Sequence, residues 1–463
     1  MPGPSARAGQ VRYKPAIFRP QPGAPRRRGR QSEGNAGEAL IFISIAAYRD
    51  PELGATVEDC LAKARFPNRL RFGVCWQHDE ADPAPRCFTD SRVQVVRVGW
   101  RESQGACWAR AQIMSLWNGE DWYLQLDSHH RFVKAWDVKL LQQAERSGSA
   151  KPVITTYAPS YTPGGTDDFA REPSRMEFDR FTEDGIPGFH PGHFANWKDR
   201  TGPARGRYAS AHFLLAPGSF VRDVPYDPEL YFTGEEITMA VRAFTHGYDL
   251  FEPSRVILVH EYTREGRRKH WDDHLAGNGE QPAWFERDGS SRVKVQRLLR
   301  EPWVGADGLG QERTMADYEA YAGIDFRRRR IHDHARLNFE PPTPTAAGWA
   351  EATAIRRVQI LLAPSLLPPA AIDEAQFWYV GFHTASGMEL YRQDADAREL
   401  ATVFANLPGA IALTRTFVST AEPATWTVIP YTKGGGWLQA ISGPIARDHV
   451  ALGERIDSQN PPA

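Results

Sequence analysis

The apolar positions of the chain gather first at residues 40–46 (LIFISIA), a run long enough for a strand and too short for a helix. Val57, Leu61 and Ala64 follow at helical spacing and stop at Pro67. Residues 71–76 (RFGVCW) and 93–98 (VQVVRV) predict two more strands. Residues 104–117 predict a helix with Cys107, Ala111 and Met114 on one face, and residues 122–126 (WYLQL) a fourth strand. Buried strands alternating with helices predict an α/β fold, a mostly parallel sheet with helices on both faces. Such sheets bind ligands beyond the carboxyl ends of their strands.

The pattern then becomes irregular. Residues 153–157 (VITTY) and 212–216 (HFLLA) predict strands, while the Gly-, Pro- and aromatic-rich stretch 158–207 predicts a long loop of the kind that carries function. Ile237, Ala240, Val241 and Phe244 form a helical stripe ended by Gly247, and residues 255–260 (RVILVH) predict a strand ending on histidine. Residues 262–340 are polar and partly helical, and the Pro341-Pro342-Thr343-Pro344 stretch reads as a linker. Beyond it, residues 377–382 and 388–392 flank an Ala385-Ser386-Gly387 turn and predict a hairpin. A short helix near 395–405 and strands at 411–418 and 426–431 complete a small β-rich domain. The expected organisation is a tail over 1–37, an α/β domain over 38–340 and a β-rich domain over 346–463.

Charge changes this picture in one place. The tail carries Arg7, Arg12, Lys14, Arg19, Arg26, Arg27, Arg28 and Arg30 against the single acid Glu33, with Pro and Gly throughout. It is expected to be disordered, and no apolar leader core follows it. Over all 463 residues, 56 basic and 57 acidic side chains leave a net charge of −1, which argues against counterion-driven nucleic-acid binding. No run of 18 apolar residues is present, so no membrane span is expected. The four cysteines, Cys60, Cys75, Cys87 and Cys107, form no C-x-x-C pair. So few in a long chain point to a reducing, cytoplasmic setting.

Candidate chemistry starts at Asp127-Ser128-His129, which closes the fourth predicted strand. An Asp and a His two apart at a strand end can turn into a cleft and hold one divalent metal, and oxygen with imidazole suits manganese-like ions better than calcium. The same residues also read as a helix cap beside a surface histidine. Glu235 and Glu236 precede an amphipathic helix. They are either first-turn acids that complement the helix dipole or cleft carboxylates that hold a sugar hydroxyl or an acceptor. His260 gains weight in combination, because one carboxylate and two imidazoles make half an octahedral shell. Arg264, four residues on, is placed to meet a phosphate.

The order of these segments resembles a nucleotide-sugar glycosyltransferase of the GT-A fold. The phrases at residues 72–78 (FGVCWQH), 105–110 (GACWAR), 127–132 (DSHHRF), 225–236 (PYDPELYFTGEE) and 317–326 (DYEAYAGIDF) resemble the cytoplasmic protein-hydroxyproline N-acetylglucosaminyltransferase family, including its bacterial relatives. The likeness covers roughly residues 40–335. More distantly, the chain is similar to the polypeptide N-acetylgalactosaminyltransferases, which also carry a D-S-H metal motif and a late histidine.

The resemblance implies Asp127, His129 and His260 as ligands of Mn2+ (or Mg2+). It implies Glu235 and Glu236 as the acidic pair touching donor sugar and acceptor. Tyr48 and Arg49 would bind the nucleotide, Asp79 the uracil or ribose, Arg110 the donor and Arg264 the diphosphate. His212 stands where relatives often place a small residue beside the sugar. The implied donor is UDP-N-acetylglucosamine or a related hexosamine. The implied acceptor is a hydroxyl on a protein, glycan or small molecule, with retention at the anomeric carbon. Retention is open to two routes, a carboxylate nucleophile from Glu235 or Glu236, or front-face attack with the departing phosphate taking the acceptor proton. Residues 346–463 lack cysteines and a threefold Q-x-W repeat, so no β-trefoil lectin is expected there.

Two rival classes fit less well. A non-haem iron oxygenase also uses two histidines and a carboxylate, but in the order H-x-D then His and on an antiparallel jelly roll. A sugar-nucleotide or glycan-binding protein without turnover would carry the same residues.

Overall fold

The computed structural model describes residues 39–164, 171–263, 266–275, 281–344 and 346–445. The basic tail and Arg264 lie outside them. The first twelve strands are β1 (Ile41–Tyr48), β2 (Leu70–His78), β3 (Val93–Gly99), β4 (Trp122–Asp127), β5 (His130–Phe132), β6 (Pro152–Thr155), β7 (Ser174–Phe181), β8 (Pro187–His193), β9 (Ala204–Arg205), β10 (Phe213–Pro217), β11 (Asp249–Glu252) and β12 (Leu258–His260). The helices among and after them are α1 (Glu52–Lys63), α2 (Ala106–Met114), α3 (Trp136–Arg146), α4 (Phe220–Asp223), α5 (Glu235–Thr245), α6 (His270–Asp273) and α7 (Trp284–Arg300).

Eight strands form one sheet in the order β3-β2-β1-β4-β10-β6-β11-β9. The first four run parallel, β10 runs antiparallel to both its neighbours, and β6 and β11 are parallel again. The near-continuous apolar run of β1 follows from its central place, covered on both faces. Ile41, Ile43 and Ile45 pack with Val57 of α1 and Leu140 of α3, while Phe42 packs with Ile113 of α2 and Val241 of α5. Each such fully buried side chain contributes about 2–3 kcal/mol. The expected GT-A arrangement, a mostly parallel sheet with helices on both faces, is the one observed.

Two expectations are corrected. The stretch 158–207 is not a plain loop: β7 and β8 form a hairpin in it, pairing from Ser174↔His193 to Phe181↔Pro187. The strand expected over 255–260 is confined to Leu258–His260.

The later chain adds β13 (Ile324–Asp325), β14 (Arg330–His332) and β15 (Trp349–Glu351), which make a small sheet. It then adds β16 (Ala354–Leu362), β17 (Ala375–His383), β18 (Glu389–Arg392), β19 (Ile411–Ser419), β20 (Thr425–Thr432), β21 (Gly436–Trp437) and β22 (Ile441–Pro444). The hairpin predicted across residues 377–392 is present as β17–β18. Between the β16–β19 and β17–β20 pairs lies a separate apolar core of Val358, Ile360, Trp378, Val380, Leu413 and Val428, among others. The unexpected β7–β8 hairpin joins this part, since β16 meets β7 at Ala354↔Phe181. All four cysteines are buried and free. Among the described residues, no helix is long and apolar enough to cross a membrane.

Candidate active site

β4 ends on Asp127, at the carboxyl edge of the parallel strands. The chain then reverses into β5, and α1 pins the reversal: the Thr56 hydroxyl donates to the Ser128 carbonyl (2.7 Å) and accepts from the His130 amide (3.0 Å). β5 pairs antiparallel with β12, so His260 lies opposite His130. The Glu261 amide donates to the His129 carbonyl at 3.2 Å. This short ribbon is why Asp127 and His260 meet, although 133 positions separate them.

One ligand atom each from Asp127, His129 and His260 falls within 4.8 Å of the others. His260 Nε2 is 3.3 Å and His129 Nε2 3.8 Å from Asp127 Oδ2. His129 Nε2 is buried and has no hydrogen-bond partner. An unpaired buried polar atom is costly, and one carboxylate with two imidazoles is a donor set that fits a manganese-like cation. These three residues are therefore able to hold a metal.

The other oxygen of Asp127 faces Arg110, which projects from α2 and is fully buried. Arg110 Nη2 donates to Asp127 Oδ1 (2.7 Å) and to the Ala211 carbonyl (2.8 Å), and its Nε donates to Glu235 Oε1 (3.1 Å). Burial pushes the Asp127 carboxyl up, but the His260 hydrogen bond and the Arg110 charge outweigh it and hold the group well below the usual carboxylate range. Glu235 opens α5 and also accepts from the Tyr226 hydroxyl at 2.7 Å. Its carboxyl is raised, because burial outweighs the Arg110 charge. Gly234, immediately before it, has φ of 90°, and a Cβ there would sit 2.7 Å from Val295 of α7. Only glycine allows α5 to start so close to α7.

Glu236 points the other way. It accepts from the Tyr157 hydroxyl (2.5 Å) and from the Ala211 amide (3.1 Å). Burial pushes its carboxyl up to about 7. His212 does not line the cleft. Its Nε2 accepts from the Ala158 amide (3.0 Å), its Nδ1 lies 3.1 Å from Ser210 Oγ, and its ring stacks on His260 at 4.2 Å. Both nitrogens are thus committed to the protein, and the ring serves as a backing plate for His260.

The expected nucleotide residues are split. Tyr48 lines the cleft beside Ala46, Gln77 and Gly105. Its hydroxyl donates to Asp273 of α6 at 2.9 Å, and Arg49 Nη1 reaches the same oxygen at 3.0 Å. Arg49 also lies 3.5 Å from Asp79, which accepts from the Trp100 indole (2.9 Å) and the Ala81 amide (3.3 Å). Arg49 and Asp79 thus stand in an ion cluster outside the cleft wall. Arg267, Arg268, Lys269 and Trp271 form a further wall of the cleft. The adjacent basic run 267–269 was visible in the sequence but was not among the expected site residues. Asp50, Tyr157 and Tyr226 were missed as well, because nothing local in the sequence sets them apart.

A protein-family model described as Glycosyltransferase (GlcNAc) matches residues 40–87 and 84–328. No curated protein matches the chain. Among solved structures it is similar to GalNAc-T7 with UDP, GalNAc and Mn2+, at 14% identity and a TM-score of 0.42, over 57% of this chain and 51% of that one. The chain thus spans about half the length of that structure. It is also similar to S. aureus TarS 1-349, at 11% identity and a TM-score of 0.33, over 57% and 72% of the two chains. For the same TarS segment in complex with UDP-GlcNAc the values are 10%, 0.31, 56% and 72%.

Proposed function

The chain belongs to the glycosyltransferase (GlcNAc) family, and from that premise we propose a specific reaction. It moves N-acetylglucosamine, or a related hexosamine, from a UDP-sugar to a hydroxyl acceptor, depends on a divalent metal and retains the anomeric configuration. The observation that carries this reading is the convergence of Asp127, His129 and His260 beside Arg110 and Glu235, at the carboxyl edge of the sheet.

When bound, a divalent cation neutralises charge on the diphosphate leaving group as a Lewis acid. Asp127, His129 and His260 hold it in this reading. Arg110 keeps Asp127 anionic and turns its Oδ2 toward the two histidines. Arg267, paired with Asp50 and Glu261, Arg268, paired with Asp273, and Lys269 line the cleft, where Lys269 adds positive charge to that expected of Arg264. Glu235, held by Arg110 and Tyr226, is a fixed acceptor for a sugar hydroxyl. Two donors on one of its oxygens weaken it as a nucleophile, which favours front-face attack. Glu236 bonds Tyr157 and the Ala211 amide, and in this reading it acts on the acceptor through Ala211, which lines the cleft.

Within the family, the motif phrases resemble those of the protein-hydroxyproline N-acetylglucosaminyltransferases, which makes a protein hydroxyl the first acceptor to test. In this reading the C-terminal region, described over residues 346–445, serves the acceptor or assembly rather than donor chemistry. The support is that its described part has its own core and contributes no residue to the cleft wall.

The test is UDP release by the purified full chain from UDP-, GDP- and dTDP-sugars, with Mn2+ or with EDTA. Turnover is expected for a UDP-N-acetylhexosamine, lost in EDTA and restored by Mn2+. Preference for a GDP- or dTDP-sugar would overturn the donor, and turnover in EDTA would overturn the metal.

A further inference from the structure

We propose that Asp50 is a positioning residue for His129: it fixes the imidazole as the Nδ1–H tautomer, so that the Nε2 lone pair faces Asp127 and His260. The inference rests on the metal-site reading given above. Asp50 lies just past the carboxyl end of β1, and its side chain is buried between α1 and the 267–271 wall. Its Oδ2 is 2.7 Å from His129 Nδ1 and 2.6 Å from Ser128 Oγ. Its Oδ1 accepts from the Glu52 amide (3.0 Å) and from Arg267 Nη1 (2.6 Å).

A carboxylate with four such neighbours is an acceptor only. At 2.7 Å the hydrogen between it and His129 must therefore sit on Nδ1. A neutral imidazole carries one N–H, so Nε2 is left with its lone pair. That is the atom found buried without a partner, 3.8 Å from Asp127 Oδ2. The opposite tautomer would set a lone pair against the Asp50 carboxylate. Arg267 extends the support: its second nitrogen bonds Glu261, the residue after His260, whose amide holds the His129 carbonyl. The segment that walls the cleft is thereby tied to the backs of both histidines.

A purely structural account is also available, in which Asp50 serves only the first turn of α1 and the ion pair with Arg267. Those contacts use Oδ1, whereas His129 uses Oδ2. The readout must therefore report on the imidazole itself. The full chain is labelled with 15N-histidine, and long-range 1H–15N spectra of the metal-free protein give the tautomer of each ring. His129 is assigned from a His129→Gln spectrum. Wild type is expected to show Nδ1–H at His129, Asp50→Ala to lose it, and Asp50→Glu to restore it. In parallel, Mn2+ binding in the presence of UDP is followed by electron paramagnetic resonance. Asp50→Ala is expected to weaken it by about 10- to 100-fold, with recovery in Asp50→Glu.

A folded Asp50→Ala protein that keeps both the tautomer and the Mn2+ affinity of wild type would overturn the proposal. Should Asp50→Ala not fold, Asp50→Leu, of similar shape and without an acceptor, is read instead, and an unchanged His129 spectrum overturns it. A tautomer set by Asp50 in a wild type that binds no Mn2+ would sink the metal reading, and not the control of His129 by Asp50.

Discussion

The cleft and the C-terminal sheets are built on opposite rules. In β16 the side chains alternate buried and outward from Ala354 to Leu362, and the core beneath is mostly apolar, with Arg356 and Arg415 buried in it. At and behind the cleft wall, Arg110, Asp127, Glu235 and four histidines crowd together where the local rules would place apolar groups. Burying charge is costly unless each group is paired, and nearly every group here is: Arg110 alone holds Asp127, Glu235 and two carbonyls. His129 and His130 are exceptions, each with Nδ1 paired and a buried Nε2 without a hydrogen-bond partner. Buried charge is thus isolated in the C-terminal sheets and clustered at the candidate site.

The contrast breaks most visibly at Asp127. Asp127→Ala is expected to lower UDP-sugar turnover on the order of 10³-fold, a loss comparable to removal of a transition-state contact. The fold persists, since Arg110 keeps Glu235 and its carbonyl partners. Steady-state turnover with circular dichroism on the same sample checks both halves. His129→Ala and His260→Ala cost less, because water can take the place of a neutral ligand.

Trp378→Ala inverts this result. The ring is fully buried in the C-terminal core, with its indole donating to the Ala371 carbonyl at 3.1 Å. Its loss is expected to cost about 3–5 kcal/mol in urea unfolding, with the donor KM of the folded protein unchanged. A shifted KM would show that the two regions are energetically one.

The smallest effect sharpens the comparison behind the cleft wall. Burial lifts the Glu236 carboxyl from 4.5 to about 7. Between those values the folded state binds more protons at this site than the unfolded state. Its contribution to stability is therefore full below pH 4.5 and is lost as pH rises through 7. Glu236→Gln removes that loss, so the stability difference between wild type and variant should move against wild type from pH 5 to pH 8. Parallel pH profiles would mean that Glu236 titrates normally.

How much of this was legible in the sequence follows the same divide. The buried strands β1 to β4 and the amphipathic α5 could be read, because apolar period and length decide them. β16 was not read: Arg356 interrupts its apolar face, and only its distant partner Glu422 and its burial show that it points inward. The β7–β8 hairpin hid behind charged residues in one strand and Pro and Gly in the other. Asp127, His129 and His260 were legible as types at strand ends. Asp50 was not, since its tie to His129 spans 79 positions and exists only once β1 and β4 lie side by side.

The central claim is that Asp127, His129 and His260 form one metal site. Crystals of the full chain soaked with MnCl2 and UDP, measured on both sides of the manganese absorption edge, test it most directly. The account predicts one anomalous peak in contact with Asp127 Oδ2, His129 Nε2 and His260 Nε2, absent from Asp127→Ala crystals. A peak elsewhere in the cleft, or bound UDP with no manganese beside these three residues, would contradict it.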